Sequence, residues 1–259
     1  MSVRDEKLDA QIIRELFQSD KDNRYLIKRS EEGGAREAVF DRETLFTLYN
    51  MMNRGELDYL NGVVKAGKEA RVYWGVKDGV DVAVKIFYTT TSNFKRRMPY
   101  MAGDPRFRKV KKYGKWLILE WVRKEFSNLH QAFEAHVSVP KPLLFQKNVL
   151  VMELIGKGGS PAPTLDNAEV NRRDYASILK NVRILYSRAK LVHADLSEFN
   201  IFKFDGKIKL FDMGSAVDRK HPMSSVFLER DIYNINRFFA KRGMEVKPLK
   251  EVMELIGVE

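Results

Sequence analysis

The stretch Leu191-Val192-His193-Ala194-Asp195-Leu196-Ser197-Glu198-Phe199-Asn200 constrains this chain more than any other. An apolar pair leads into a polar loop that carries an aspartate and, five positions later, an asparagine. Asn200 to Phe204 and Lys207 to Phe211 then alternate polar and apolar side chains around Asp205-Gly206, a pair suited to a two-residue hairpin turn with positive φ at both positions. Such a turn returns the chain to the level of Asn200, where a second Asp-x-Gly begins at Asp212. Asp195 can then orient a hydroxyl or water and accept its proton, while Asn200 and Asp212 offer hard oxygen ligands to Mg²⁺ or Mn²⁺. The pattern implies phosphoryl transfer.

The spacing agrees with that of a protein-kinase catalytic loop, His-Arg-Asp-x-x-x-x-Asn, and its metal loop, Asp-Phe-Gly, with two side chains changed. A lysine for the phosphates is then expected upstream. Val82-Ala83-Val84-Lys85 supplies one in an otherwise apolar strand, where an inward lysine needs a strong reason. Alternation puts Ala83 and Lys85 on one face, so Ala83 can floor an adenine pocket while Lys85 reaches the phosphates. A lysine on an edge strand, with its head in water, is the plain alternative. Its expected partner is Glu125, with Glu120 second; a surface carboxylate is the ordinary reading of either.

Two glycine-containing stretches do not read as nucleotide fingerprints. Between Gly62 and Glu69 a Walker A loop is nearly matched, but Glu69 stands where Ser or Thr would bind Mg²⁺, and a strand follows instead of a helix. It reads as a strand-turn-strand lid over phosphates, with Val64 and Lys68 at the nucleotide and Gly67 allowing close approach. Pro161 and Pro163 bar a helix directly after Gly156 to Gly159. His193 reads as a packing and hydrogen-bonding residue.

With 259 residues, 44% of them hydrophobic, the chain can bury one large core or two modest lobes. The absence of cysteine excludes disulfides, thiolate metal sites and cysteine nucleophiles, and the four histidines fall at no metal-ligand spacing. No apolar run reaches bilayer length and the N-terminus has no apolar signal core, so no membrane partner and a cytoplasmic location are expected. The net charge is +11, and the segment from Ser92 to Lys115 holds nine cationic residues against Asp104 alone. Phe94, Tyr100, Phe107, Tyr113 and Trp116 interleave with them, making a candidate contact for RNA backbone and unpaired bases. A solvated, disordered insertion is the alternative.

Apolar periodicity predicts a helix over Asp5 to Phe17, a polar linker over Asp20 to Arg36, and a second helix capped by Asp41 and stopped at Gly55. Strands follow near Asn61 to Val64, Arg71 to Val76 and Val80 to Phe87, then a long loop from Tyr88 to Lys115. Helices are expected over Trp116 to His136, Ala168 to Ala189 and Glu229 to Arg242, with a last short one from Pro248 and a strand over Val149 to Ile155. Strands dominate the first part and helices the second, with Glu153 to Pro163 between them. That is the outline of two lobes and a hinge.

Taken together, Lys65 to Ala70, Val82 to Ile86, Val149 to Gly156, His193 to Asn200 and Asp212 to Ala216 resemble the RIO family of atypical serine/threonine protein kinases, specifically its type-one branch. The similarity runs from about Thr44 to Tyr233. It implies an α+β, trimmed two-lobed protein-kinase-like fold: an N-terminal helical extension (1–60), an N-lobe of antiparallel sheet plus one helix with a basic flexible insertion (61–155, insertion 88–115), and a helical C-lobe lacking peptide-docking helices (156–259). On the matching positions Asp195 would be the proton acceptor, Asn200 and Asp212 the metal ligands and Lys85 the phosphate contact. Backbone groups of Glu153 and Ile155 would hold adenine. The family is thought to work also as ATPases, so Asp212 would itself take the phosphoryl group transiently. A role in maturation of the small ribosomal subunit follows, with rRNA and ribosomal proteins as partners and autophosphorylation as an accompanying activity.

The chain departs from the family and from ordinary kinases in three places. Lys65-Ala66 stands where the family's lid opens with Ser-Thr, and Ala194 replaces the arginine that pairs with a phosphorylated activation loop in ordinary kinases. No Ala-Pro-Glu follows Gly214. Two rival readings stay open: a small-molecule kinase of the aminoglycoside type, which shares His-x-Asp-x-x-x-x-Asn, and an inactive RNA-binding scaffold switched by nucleotide.

Overall fold

The computed structural model describes residues 11–13, 40–89, 97–107 and 114–258, and the chain divides into two units. The first comprises Met1–Thr91 and Leu143–Pro161. Its helix α1 (Arg42–Asn53) starts where the Asp41 carboxylate accepts the Thr44 N–H at 2.7 Å, and it gives way at Gly55, whose φ is 66°. Strands β1 (Tyr59–Ala66), β2 (Ala70–Lys77), β3 (Val80–Phe87), β4 (Pro142–Gln146) and β5 (Val149–Glu153) form one sheet in the order β1-β2-β3-β5-β4. A small hairpin of β6 (Gly156–Lys157) and β7 (Ser160–Pro161) follows.

Strand β3 is the middle of this sheet. Lys85 is paired with Val72 of β2 on one side and Leu150 of β5 on the other, so the edge-strand reading of Lys85 is corrected. Val82, Val84 and Ile86 point into a core shared with Leu45, Leu48 and Met51 of α1 and with Ile12. Alternation sends Ala83, Lys85 and Phe87 to the other face. Strand β4 was not expected: it is a five-residue edge strand opening on a proline, a pattern that carries little periodic signal.

The second unit comprises Ser92–Pro142 and Ala162–Glu259. It contains α2 (Met98–Met101), α3 (Gly114–Glu134), α4 (Arg172–Ser187), β8 (Leu191–Val192), the hairpin β9 (Ile201–Phe204) and β10 (Lys207–Leu210), β11 (Val217–Asp218), α5 (Ser224–Ala240) and α6 (Leu249–Ile256). Helix α4 begins four residues later than Ala168. Asn171 and Asp174 close a reciprocal capping box there, and Leu165–Asn167 form a separate 3₁₀ turn. Asp174 also pairs with Lys203 of β9 at 2.8 Å, which ties the hairpin to α4.

Residues 97–107 are not the loop that was expected. Besides α2 they contain a 3₁₀ turn at Pro105–Phe107, and Met101, Asp104 and Phe107 are buried. Tyr100 packs on Phe227 with ring centroids 5.3 Å apart, and His221 Nε2 meets the Ala102 carbonyl at 2.8 Å. The helix expected over Asp5 to Phe17 is helical at residues 11–13. The rest of it, the linker from Asp20 to Arg36, and Lys95, Arg96, Arg108, Lys109, Lys111 and Lys112 lie outside the described residues. No described helix is long and apolar enough to cross a membrane.

Candidate active site

The stretch from Leu191 to Asn200 is built as β8, a tight loop and a 3₁₀ turn at Glu198–Asn200, leading directly into β9. Asn200 folds back on the loop: its Nδ2 donates to the Asp195 carbonyl at 2.8 Å and lies 3.5 Å from the Asp195 carboxylate. Asp205 and Gly206 have φ of 48° and 70°, the left-handed pair the turn requires, and the β9–β10 register sets Leu210 against Ile201. One residue further, the Phe211 N–H donates to the Asn200 carbonyl at 3.0 Å. Asn200 and Asp212 therefore lie at the same end of the hairpin.

Electrostatics link the carboxylates. The Asp195 side chain is open to solvent, yet the protein packed around it pushes its pKa up, and the negative charge of Asp212 adds to the rise. Arg97 experiences Asp212, Glu125 and Asp195 together and packs over the Trp121 ring at 4.2 Å. Its own pKa is lowered by burial. Among the described residues no three or more His, Asp or Glu converge on a metal position. A pair such as Asn200 and Asp212 nevertheless fits Mg²⁺, which keeps several waters and takes phosphate oxygens alongside one or two protein ligands.

The loop before Asp195 is held by a residue outside the sequence motifs. Asp231 of α5 is fully buried and accepts the N–H groups of Ala194 at 2.7 Å and Leu196 at 2.9 Å, one on each side of Asp195. Arg230 donates to the Ala194 carbonyl, and Asn234 Nδ2 to the Leu196 carbonyl at 3.1 Å. Ala194 is thus kept at φ 66°, a conformation rare for a side chain with Cβ. A signal existed, because Asp231 falls at helical spacing among the buried Leu228, Ile232 and Ile235. His193 matches its expected structural part: it is buried, and its Nε2 meets the Phe211 carbonyl at 2.9 Å.

The remaining candidates divide between the units. Glu125, on α3 in the second unit, is 2% exposed, whereas Glu120 on the same helix is half-buried. In the first unit, Ala83 and Ile155 are buried, Val64, Lys85 and Glu153 half-buried, and Lys68 exposed at the tip after β1. Lys85 Nζ lies over the Phe87 ring at 5.0 Å, on the face shared with Ala83. The structure brings Asp195, Asn200 and Asp212 together in the second unit, and gathers Lys85, Ala83 and Glu153 on neighbouring central strands of the first.

Comparison with known proteins gives the family and the fold. Residues 71–252 match the RIO domain family. The chain is 36% identical over 256 residues to serine/threonine-protein kinase RIO1 of Caenorhabditis elegans, an alignment covering 96% of this chain and 51% of that protein. It is 38% identical to the RIO-type serine/threonine-protein kinase Rio1 of Haloferax volcanii, covering 86% and 77% of the two chains, and 44% identical to the Rio1 of Thermoplasma acidophilum, covering 65% and 90%. It thus spans about half the nematode relative and most of the archaeal ones. Among solved structures, the Rio2 kinase of Chaetomium thermophilum superposes with a TM-score of 0.62 at 18% identity, covering 100% of this chain and 87% of that one. Its complex with ADP/Mg²⁺-phosphoaspartate gives 0.61 at 21% identity, covering 83% and 66%. The antiparallel sheet of one unit and the helices of the other form an α+β, kinase-like fold.

Proposed function

The chain belongs to the RIO family, and on that premise we propose that it is an ATP- and Mg²⁺-dependent serine/threonine protein kinase with ATPase activity, working on or with the precursor of the small ribosomal subunit. The observation that carries the chemistry is the juxtaposition of Asp195, Asn200 and Asp212 by one loop and one hairpin. In this reading Asp195 orients the incoming hydroxyl or water and takes its proton, for which a pKa raised by the protein packed around it and by the charge of Asp212 suits it. Asn200 and Asp212 hold the divalent cation, whose contribution when bound is to neutralise charge on the phosphate oxygens. Lys85 contacts the phosphates with Glu125 as its partner, Ala83 floors the adenine pocket, backbone groups of Glu153 and Ile155 hold the base, and Val64 and Lys68 belong to the lid. Mn²⁺ is the expected substitute for Mg²⁺.

The phosphoaspartate of the fungal Rio2 complex supports a transient phosphoryl group on Asp212 here, and the ADP and Mg²⁺ of that complex support the cofactors. The test is turnover of labelled ATP, with and without small ribosomal subunits and a generic serine protein, following both free and protein-bound label. Asp195→Asn should lower turnover by at least about 100-fold while ATP still binds. An unchanged rate removes Asp195 from its role, and turnover of an aminoglycoside in place of protein or water would favour the small-molecule reading. Label on a protein serine identifies a kinase; free phosphate raised by subunits identifies a ribosome-coupled ATPase.

A further inference from the structure

Asp212 occupies a backbone conformation that a residue with Cβ takes at a cost: φ is 60° and ψ 61°, in the left-handed region. Surrounding bonds must hold it there. On its N-terminal side Phe211 is fixed by the Asn200 carbonyl and by His193. On its C-terminal side helix α3 takes hold of the next turn, Met213–Ser215, and of Ala216.

Lys124 Nζ donates to the Gly214 carbonyl at 2.8 Å and to that of Ala216. Asn128, one turn further along α3, donates through Nδ2 to the carbonyls of Met213 and Ala216, both at 2.8 Å. Each of the two side chains is 0% exposed. A lysine buried to that extent is costly, and packing alone does not call for one, since an unbranched apolar chain would fill the same space. Burial lowers its pKa to about 7, and the rings of Trp121 at 5.3 Å and Phe107 at 6.0 Å offset part of the cost. The loop is pressed onto the helix at Gly214, where a Cβ would stand 2.9 Å from Glu125 Oε2 and from Trp121 Nε1.

The Asn128 amide is itself oriented. Its Oδ1 accepts from Arg106 Nη1 at 2.8 Å, which leaves the NH₂ group to face the carbonyls. Arg106 is held in turn by the buried Asp104, whose carboxylate accepts from its Nη2 at 2.7 Å and its Nε at 3.0 Å. We propose that Lys124 and Asn128 are positioning residues for Asp212: a four-bond clamp from α3 sets where its carboxylate stands, and Arg106 with Asp104 fixes the orientation of Asn128. The proposal rests on the reading of Asp212 as a metal ligand. A loosened clamp therefore impairs metal-dependent steps and leaves binding of the adenine nucleotide by itself unchanged.

The test uses the full chain carrying Lys124→Met or Asn128→Asp, the latter keeping the shape and the acceptor for Arg106 while removing the donor. Mn²⁺ affinity of the ADP-loaded protein is read by electron paramagnetic resonance, ADP affinity without metal by calorimetry, and ATP turnover as a function of Mg²⁺. Mn²⁺ affinity and turnover at limiting Mg²⁺ should fall about 10- to 100-fold, metal-free ADP affinity should hold, and excess Mg²⁺ should restore part of the rate. Asp212→Asn is the reference. If it retains Mn²⁺ affinity, the metal-ligand reading fails and the clamp with it; if it loses Mn²⁺ while both clamp variants bind as wild type, the clamp alone is overturned. Should Lys124→Met fail to fold, Asn128→Asp and Arg106→Gln decide by the same readouts.

Discussion

Asp231 places a carboxylate, fully buried, against the two N–H groups that bracket Asp195. Desolvation pushes its pKa from 3.8 up to about 6, although the charges of His193 and Arg230 and both backbone bonds act in the opposite direction. The folded state therefore holds a proton that the unfolded chain has released between these values. This contribution to stability is complete below about pH 4 and is lost as pH rises through about 6. Denaturant unfolding of the wild type and Asp231→Asn from pH 4 to 7.5 should show the wild type losing stability relative to the variant across that range. A difference that stays flat would mean that Asp231 is not the group titrating. At this scale Asp195, Asn200 and Asp212 were legible because their spacing is itself the signal. Lys124 and Asn128 are not, since their partners are backbone carbonyls 85 to 92 positions away, which leave no side-chain pattern, and for Asp231 the helical spacing marks a buried carboxylate without naming the N–H groups it holds.

Among the elements, the β9–β10 hairpin shows why turn chemistry was readable and boundaries were less so. Asp205-Gly206 dictates a turn with two positive φ angles, and the register of the strands follows from it. Gly206, at φ 70°, has no atom within 4 Å of where a Cβ would stand, so replacing it tests the backbone alone. Gly206→Ala should cost about 1 kcal/mol and lower the melting temperature by roughly 2–4 °C. A larger loss would point to a slipped register, visible as loss of Mg²⁺-dependent turnover. Residues 168–171 continue a helix-compatible composition and so predict an earlier start for α4, but the Asn171–Asp174 box that sets the true start outweighs it. Pro99, Pro105 and a block of cations predict a loop after β3 because they mask its apolar contacts. Those contacts, Met101, Tyr100 and Phe107, run to α3 and α5 or to buried surface that periodicity does not reveal.

For the whole molecule, the question is which of its cations are available to a polyanion. The net charge of +11 draws heavily on the segment from Ser92 to Lys115, but its described arginines are already engaged within the protein. Arg106 is bound to Asp104 and Asn128, and Arg97 faces three carboxylates. Phe107 is buried, so its ring offers no face for stacking; Tyr100 is half-buried against Phe227, and Trp116 is 58% exposed. If rRNA is the partner, the phosphate contacts fall to lysines such as Lys109, Lys111 and Lys112, with Trp116 as the stacking group. Replacing those three lysines by Gln should weaken binding of a single-stranded RNA and flatten the slope of log affinity against log salt by roughly 2, as expected for three lost contacts to a single strand. Arg106→Gln should leave that slope unchanged because its charge is internally neutralised by Asp104. Trp116→Ala should lower affinity at every salt concentration alike, by about 1–3 kcal/mol. A triple variant that binds with wild-type affinity and slope would remove the basic segment as the contact. A loss on Arg106→Gln equal to that of each lysine would show instead that the segment detaches from α3 when RNA binds, and that the clamp on Asp212 is released with it.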